Sequence, residues 1–254
     1  MIFESHAHYD DDAFNEDREQ LLNSMKENNI EYIVNVGSSM KTCAQTLELI
    51  NKYDFMYGAI GVHPSDTAEL NEEKFNKLRD MVDNNKVLAV GEIGLDYYWN
   101  EPDRSVQKKW FEKQIYMAKE KNKPVIYHSR EAAKDTIDII KNTKASEVGG
   151  VIHCFSYGVE MAREYLNLGY YIGIGGVVTF KNAKKLKEVV AYTPIDRILL
   201  ETDCPYLTPV PFRGKRNDST KLHYVVEEIA NIKQVSVDEV KQITMENAKI
   251  MYRL

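Results

Sequence analysis

Cysteine is scarce: Cys43, Cys154 and Cys204 are an odd number, far apart and without a CxxC pair. Such a set offers neither a disulfide framework nor a thiolate zinc site, and a reducing compartment suits it best. No apolar run approaches the roughly 20 residues that span a bilayer. The first twelve positions carry Glu4, Asp10, Asp11 and Asp12 where a secretory signal would be apolar. These absences predict a cytoplasmic protein with no membrane partner and no obligate protein partner. Net positive charge is also missing. A formal charge of −6 excludes a nucleic-acid binder that relies on broad electrostatic attraction, though not an enzyme that grips a few phosphates locally through metal ions. No Pro/Ser-rich linker, low-complexity tract or charge block marks an internal boundary. The chain of 254 residues can bury a large core and reads as one domain, 1–254.

What is present is alternation. Short apolar runs rich in β-branched residues alternate with amphipathic stretches along the whole chain, the pattern of repeated βα units and a parallel sheet. Strands are predicted at 1–4, 31–36, 56–60, 87–90, 124–127, 150–152, 170–174 and 198–201. Helices are predicted at 17–28, 43–53, 71–84, 105–121, 130–141, 159–168, 183–192, 219–233 and 237–252. Eight strands with intervening helices in this length give an α/β fold, a (β/α)8 TIM barrel. A doubly wound open sheet competes, but it carries a glycine-rich first βα turn. Here that turn reads Ser5-His6-Ala7-His8.

Residues two apart on a strand share a side, so His6 and His8 present two imidazoles to one point. Barrel chemistry sits at the carboxyl ends of the strands. By that rule Glu92 after strand 4, His128 after strand 5, His153 after strand 6 and Asp203 after strand 8 reach the same rim. Four imidazoles and two carboxylates exceed the needs of one divalent ion, whereas two ions roughly 3.5–4 Å apart are usual in hydrolytic sites. The predicted arrangement gives one ion His6, His8 and Asp203, the other His128 and His153, with Glu92 bridging. Nitrogen and oxygen ligands without thiolate suit Mg, Mn, Fe or Zn. Asp203 is also placed to take a proton from an attacking water, so Asp203 and Glu92 are the candidate catalytic residues. Glu201, two residues before Asp203 and on the same side, is predicted to hold a ligating histidine in place. Phosphate would be gripped by His63, before Pro64, and by Arg213, Lys215 and Arg216, three cations within four residues, with Gly214 letting the backbone approach. His223, in a predicted helix, is read as a surface residue.

Several motifs, in order along the chain, resemble the TatD family of metal-dependent deoxyribonucleases. They are Ser5-His6-Ala7-His8, Gly61-Val62-His63-Pro64, Gly91-Glu92-Ile93-Gly94-Leu95-Asp96-Tyr97, Pro124-Val125-Ile126-Tyr127-His128-Ser129-Arg130, His153-Cys154-Phe155-Ser156, Glu201-Thr202-Asp203-Cys204-Pro205-Tyr206-Leu207 and Arg213-Gly214-Lys215-Arg216-Asn217. The resemblance implies a (β/α)8 fold, two divalent ions (Mg, Mn or Zn), and hydrolysis of phosphodiester bonds in DNA. His6, His8, Glu92, His128, His153 and Asp203 are the implied ligands. One position departs: Ser219 stands where the family often carries proline. With one pocket in a negative surface, an enzyme trimming single-stranded DNA ends is expected. The alternative keeps the metals and changes the bond, as in an aminoacyl-tRNA deacylase or a cyclic amidase. The basic loop discriminates, since a neutral amide would not need it. A metal-dependent scaffold is the non-enzymatic reading, and an open rim without a closed cage speaks against it.

Overall fold

In the computed structural model, which describes residues 1–254, eight parallel strands form one sheet in chain order. They are β1 (Ile2–Ala7), β2 (Ile30–Val36), β3 (Met56–Ile60), β4 (Val87–Asp96), β5 (Val125–Arg130), β6 (Gly150–Ile152), β7 (Tyr171–Ile174) and β8 (Ile198–Leu200). The intervening helices are α1 (Arg18–Asn23), α2 (Met40–Lys52), α3 (Glu72–Val82), α4 (Arg104–Glu120), α5 (Ala133–Asn142), α6 (Val159–Asn167) and α7 (Lys184–Tyr192). Helices α8 (Leu222–Lys233) and α9 (Val237–Tyr252) close the chain. The seam between β8 and β1 is joined by a parallel bridge of Ala7 with Cys204. Beside it, the N–H of Asp203 donates to His6 O at 3.0 Å and Ser5 Oγ donates to Leu200 O at 2.8 Å. The (β/α)8 barrel expected from the alternation is the fold. No helix is long and apolar enough to cross a membrane.

Two apolar layers follow from the strand period of two. Phe3, Val34, Ala59, Ala89, Ile126, Val151 and Leu199 fill the barrel interior. Ile33, Ile60, Val90, Val125, Ile152, Ile172 and Ile198 face outward into the larger core under the helices. Helix α9 covers the amino end of the barrel: Met245, Ala248, Met251 and Tyr252 join the interior cluster. Tyr252 stacks on Phe3 with ring centroids 5.7 Å apart and donates to Ser5 O at 2.7 Å. One end is thus filled and the carboxyl ends of the strands are left open.

Three elements differ from the sequence reading. β1 continues past Glu4 to Ala7, and β4 continues past Val90 to Asp96, paired along β5 as far as Arg130. Both extensions lack the continuous apolar run that identifies a buried strand, because polar residues that face the open mouth interrupt Ala7, Ile93 and Leu95 of the outer core. The first helix spans only six residues. The Ser24 hydroxyl bonds back to Leu21 O at 2.7 Å, a local bond that competes with the helix, and Asn29 adopts a positive φ of 62° before β2.

Gly94 makes the extended β4–β5 ladder possible. Its φ is +153°, and a Cβ there would sit 1.9 Å from His128 O. Gly94→Ala should destabilise the protein by at least about 2 kcal/mol, combining backbone strain with a backbone collision. Urea unfolding checks this through a lowered midpoint at unchanged slope; an unchanged midpoint would mean that the two strands separate freely.

Candidate metal centre

Glu92 reaches the barrel mouth because β4 is irregular. Ala89 faces the interior and Val90 the outer core, so strict alternation would send Glu92 outward. A register shift between Val90 and Ile93 returns Ile93 to the outer layer and turns Glu92 inward, the usual effect of a bulge. A second shift between Glu4 and Ala7 does the same for His6: Phe3 lies inside, Glu4 is turned away, and His6 again faces the mouth.

Around Glu92 the predicted residues converge as two groups, one on each carboxylate oxygen. Oε2 lies 3.5 Å from His6 Nε2 and 3.8 Å from His8 Nε2. Asp203 Oδ1 is 3.6 and 3.3 Å from the same two nitrogens, which are 3.1 Å apart. Four donors placed tetrahedrally about 2.1 Å from one ion would be separated by about 3.4 Å. These separations bracket that value, so this group fits a divalent ion. On the other side, Oε1 lies 2.7 Å from both His128 Nδ1 and His153 Nε2, and those nitrogens are 3.4 Å apart. This group is closer, at hydrogen-bond spacing.

Partners outside the cluster fix the rings. His8 Nδ1 is 2.8 Å from Val36 O. A carbonyl only accepts, so Nδ1 carries a proton and Nε2 is the nitrogen turned to the centre; without an ion it donates to Asp203 at 3.3 Å, and giving up that proton would free its lone pair for a metal. His128 Nε2 is 3.0 Å from Asp96 Oδ2, which leaves Nδ1 to face Glu92. His63 is set the opposite way: its Nδ1 accepts from the N–H of Ser65 at 3.1 Å. A neutral His63 therefore carries its proton on Nε2, 3.8 Å from Glu92 Oε1, as a donor suited to a substrate oxygen. Nδ1 of His6 and of His153 is buried without a partner. The latter faces Glu201 Oε1 at 3.9 Å, which accepts from the N–H of Cys154.

Charge follows position. Burial opposes ionisation of Glu92, but His153, His128 and His6 hold its carboxyl well below the usual range. Asp203 is half-buried and is likewise lowered, chiefly by its bond with His8. His6 is pushed down to about 4 by burial and by His153, and His63 to about 3 by burial and His128. Beneath the cluster, Glu4 accepts from the N–H groups of His6 and Thr202 and from the hydroxyls of Thr202 and Ser219. Ser219 also receives the Tyr9 hydroxyl at 2.8 Å and gives its own N–H to Tyr9 Oη at 2.9 Å. A proline at this departing position would supply neither group.

The open cleft above measures about 960 Å³. His8, His63, Glu92, His128, His153 and Asp203 line it, with His6 buried beneath. Arg213, Lys215 and Arg216 do not line it, which corrects the placement expected for the basic loop. Arg216 is taken up by Asp17, with nitrogen–oxygen contacts of 2.7 and 2.6 Å, and by Ala13 O. Arg213 lies 3.8 Å over the Phe180 ring and Lys215 5.9 Å over Phe212. The cations that do line the cleft are Lys41, in the first turn of α2, and Arg130, at the end of β5. Sequence reasoning gave no role to Asp96 or to these two, although Asp96 stands four residues after Glu92 on the same side of the strand. His223 is exposed on α8.

An eight-stranded parallel barrel with this histidine and carboxylate cluster at its mouth has the build of a metal-dependent hydrolase. The chain belongs to the TatD family: the family model described as "TatD related DNase" matches residues 3–253. It is 45% identical over 254 residues to the uncharacterized metal-dependent hydrolase YabD of Bacillus subtilis, covering 100% of both chains. It is 34% identical over 257 residues to the uncharacterized metal-dependent hydrolase YcfH of Escherichia coli, covering 100% of this chain and 96% of the relative. The crystal structure of the TatD homologue YjjV of Escherichia coli superposes with a TM-score of 0.94 at 29% identity, over 100% of this chain and 98% of that one.

Glu201 gives this site a pH signature. Burial raises its carboxyl from 4.5 to about 8, against the pull of His153. The folded value lies above the unfolded one, so the neutral carboxyl contributes stability that is fully present below pH 4.5 and is lost as pH rises through about 8. Glu201→Gln, neutral at every pH, should flatten the decline of the metal-free protein across that window. Urea midpoints in chelator at a series of pH values read it out, and identical profiles for the two proteins would remove Glu201 as the cause.

Proposed function

We propose that this protein is a two-metal phosphodiesterase that hydrolyses DNA, trimming single-stranded ends. The observation that carries the reading is the division of labour at Glu92, whose two oxygens face separate nitrogen groups. His6, His8 and Asp203 would hold one ion and His128 and His153 the other, with Glu92 shared. Bound there, Mg, Mn or Zn would acidify water toward neutral pH and neutralise charge on a phosphate. Asp203, kept ionised beside His8, takes the water's proton as the new oxygen–phosphorus bond forms and the bond from phosphorus to the sugar oxygen breaks, that oxygen leaving as an alcohol with a proton from solvent. The Nε2–H of His63 donates to a non-bridging phosphate oxygen. Asp96 acts through His128, keeping that ring in the orientation that serves Glu92, whereas Glu201 stands behind His153 at 3.9 Å, beyond direct hydrogen-bond reach.

The choice of DNA is supported by the family description and by the two cleft cations, Lys41 and Arg130. The basic loop no longer counts toward it, so a deacylase or cyclic amidase is the second reading. A panel of single-stranded DNA, RNA, an aminoacyl-tRNA and a dihydropyrimidine, each with added Mg, Mn or Zn, decides between them. Cleavage of the DNA is expected, and turnover confined to the last two substrates would overturn the nuclease reading.

Two variants test the division of labour. Asp203→Asn should lower kcat by about 100-fold or more with little change in the thermal midpoint measured in chelator. Glu92→Gln should reduce metal stoichiometry, measured by native mass spectrometry on reloaded protein, from two ions per chain. Two ions retained by Glu92→Gln would show that the carboxylate is not shared.

A further inference from the structure

Outside the metal cluster, the cleft carries an aromatic feature that the chemistry above does not use. The loop between β4 and α4 exposes Tyr98 and Trp99, 50% and 56% accessible. They are not disordered against each other: the rings meet edge to face with centroids 4.8 Å apart at 90°. The Arg130 guanidinium lies 3.8 Å from the Tyr98 ring centroid. Trp99 and Arg130 both line the cleft beside Asp96 and His128. On β5, Arg130 is two residues beyond His128 and on the same side, about 7 Å along the strand, and it pairs in register with Asp96.

We propose that Trp99, braced by Tyr98 and Arg130, is a nucleobase-stacking subsite for the nucleotide next to the scissile phosphate, with Arg130 facing that nucleotide's outer phosphate. The proposal rests on the nuclease reading and deepens it. A broad indole face at the wall of a polar cleft is costly to leave in water, and every nucleobase has a face that can cover it irrespective of sequence. The brace matters because a ring already held in place loses little freedom when a base stacks on it. The aromatic pair therefore supplies what the basic loop does not: grip on the substrate beside the metals, independent of net charge.

Steady-state kinetics of the metal-loaded enzyme on a single-stranded oligonucleotide test this directly. Trp99→Ala should raise KM by roughly tenfold, with kcat within about twofold of wild type, and Trp99→Phe should restore most of the loss. A KM unchanged in Trp99→Ala, or a loss confined to kcat, overturns the subsite while leaving the nuclease reading intact. A second measurement needs no turnover. The chain has two tryptophans, and Trp110 is only 3% accessible, so quenching of tryptophan emission by added thymidine monophosphate reports on Trp99. Saturable quenching is expected in the wild type and should vanish in Trp99→Phe. If the wild type cleaves no DNA, the nuclease reading fails by itself; saturable quenching would then still support a base-binding subsite, and its absence would overturn that as well.

Discussion

One ionised carboxylate between two sets of imidazoles governs this molecule. Glu92 is 4% accessible, and taking such a charge out of water costs several kcal/mol unless positive or hydrogen-bonding groups surround it. Five histidines and no arginine or lysine meet it within 4 Å, with His153 on the same side as His128. Imidazole offers lone pairs or protons as the partner requires, so the same ring positions suit a metal-free carboxylate and a metal-bound one. The price is that the rings must not turn, and Val36 O and Asp96 hold two of them from behind.

These anchors sit on strands rather than loops, and the strands are irregular where the site needs it. In a regular β4, the residue after Gly91 would point into the outer apolar layer, where a carboxylate has no partner. The shift between Val90 and Ile93, like that between Glu4 and Ala7, changes which face one residue occupies without breaking the ladder on either side. Gly94 then brings β4 against His128 O more closely than any side chain allows. Filling the amino end of the barrel with α9 leaves these displaced residues a rigid floor, so the mouth can be polar without the barrel losing its apolar interior.

The barrel was legible because eight apolar runs and the helices between them have different periods, and that contrast survives errors of a few residues at each boundary. The rim residues His6, His8, Glu92, His128, His153 and Asp203 were legible because each follows an apolar run, and the structure brings all six to one place. The bulges were not, since a one-residue change of face leaves no trace in composition. The far end of β4 was hidden for the related reason that functional residues had replaced apolar ones. The basic loop misled because three neighbouring cations look alike in sequence, whereas in space Arg216 has Asp17, and Arg213 has Phe180. Sequence spacing counts charges but does not show which of them reach the cleft.

That last point bears on how an acidic chain could hold an acidic substrate. Seven carboxylates line the cleft against two cations, so without bound metal the mouth repels phosphate, and Lys41 and Arg130 alone do not reverse the balance. In the nuclease reading, affinity for DNA then becomes conditional on the ions: each one bound cancels carboxylate charge at the place where the scissile phosphate must sit. Flanking nucleotides need a form of attachment that does not compete with this, and stacking on an exposed indole is one, because it draws on apolar area and dispersion and is barely screened by salt. A broad basic field would attract polyanions over the whole surface, whereas metal ions and an aromatic wall confine the attraction to one cleft. The formal charge of −6 is thus compatible with a DNA substrate provided that the grip is local, and it disfavours any mechanism in which the enzyme tracks along duplex.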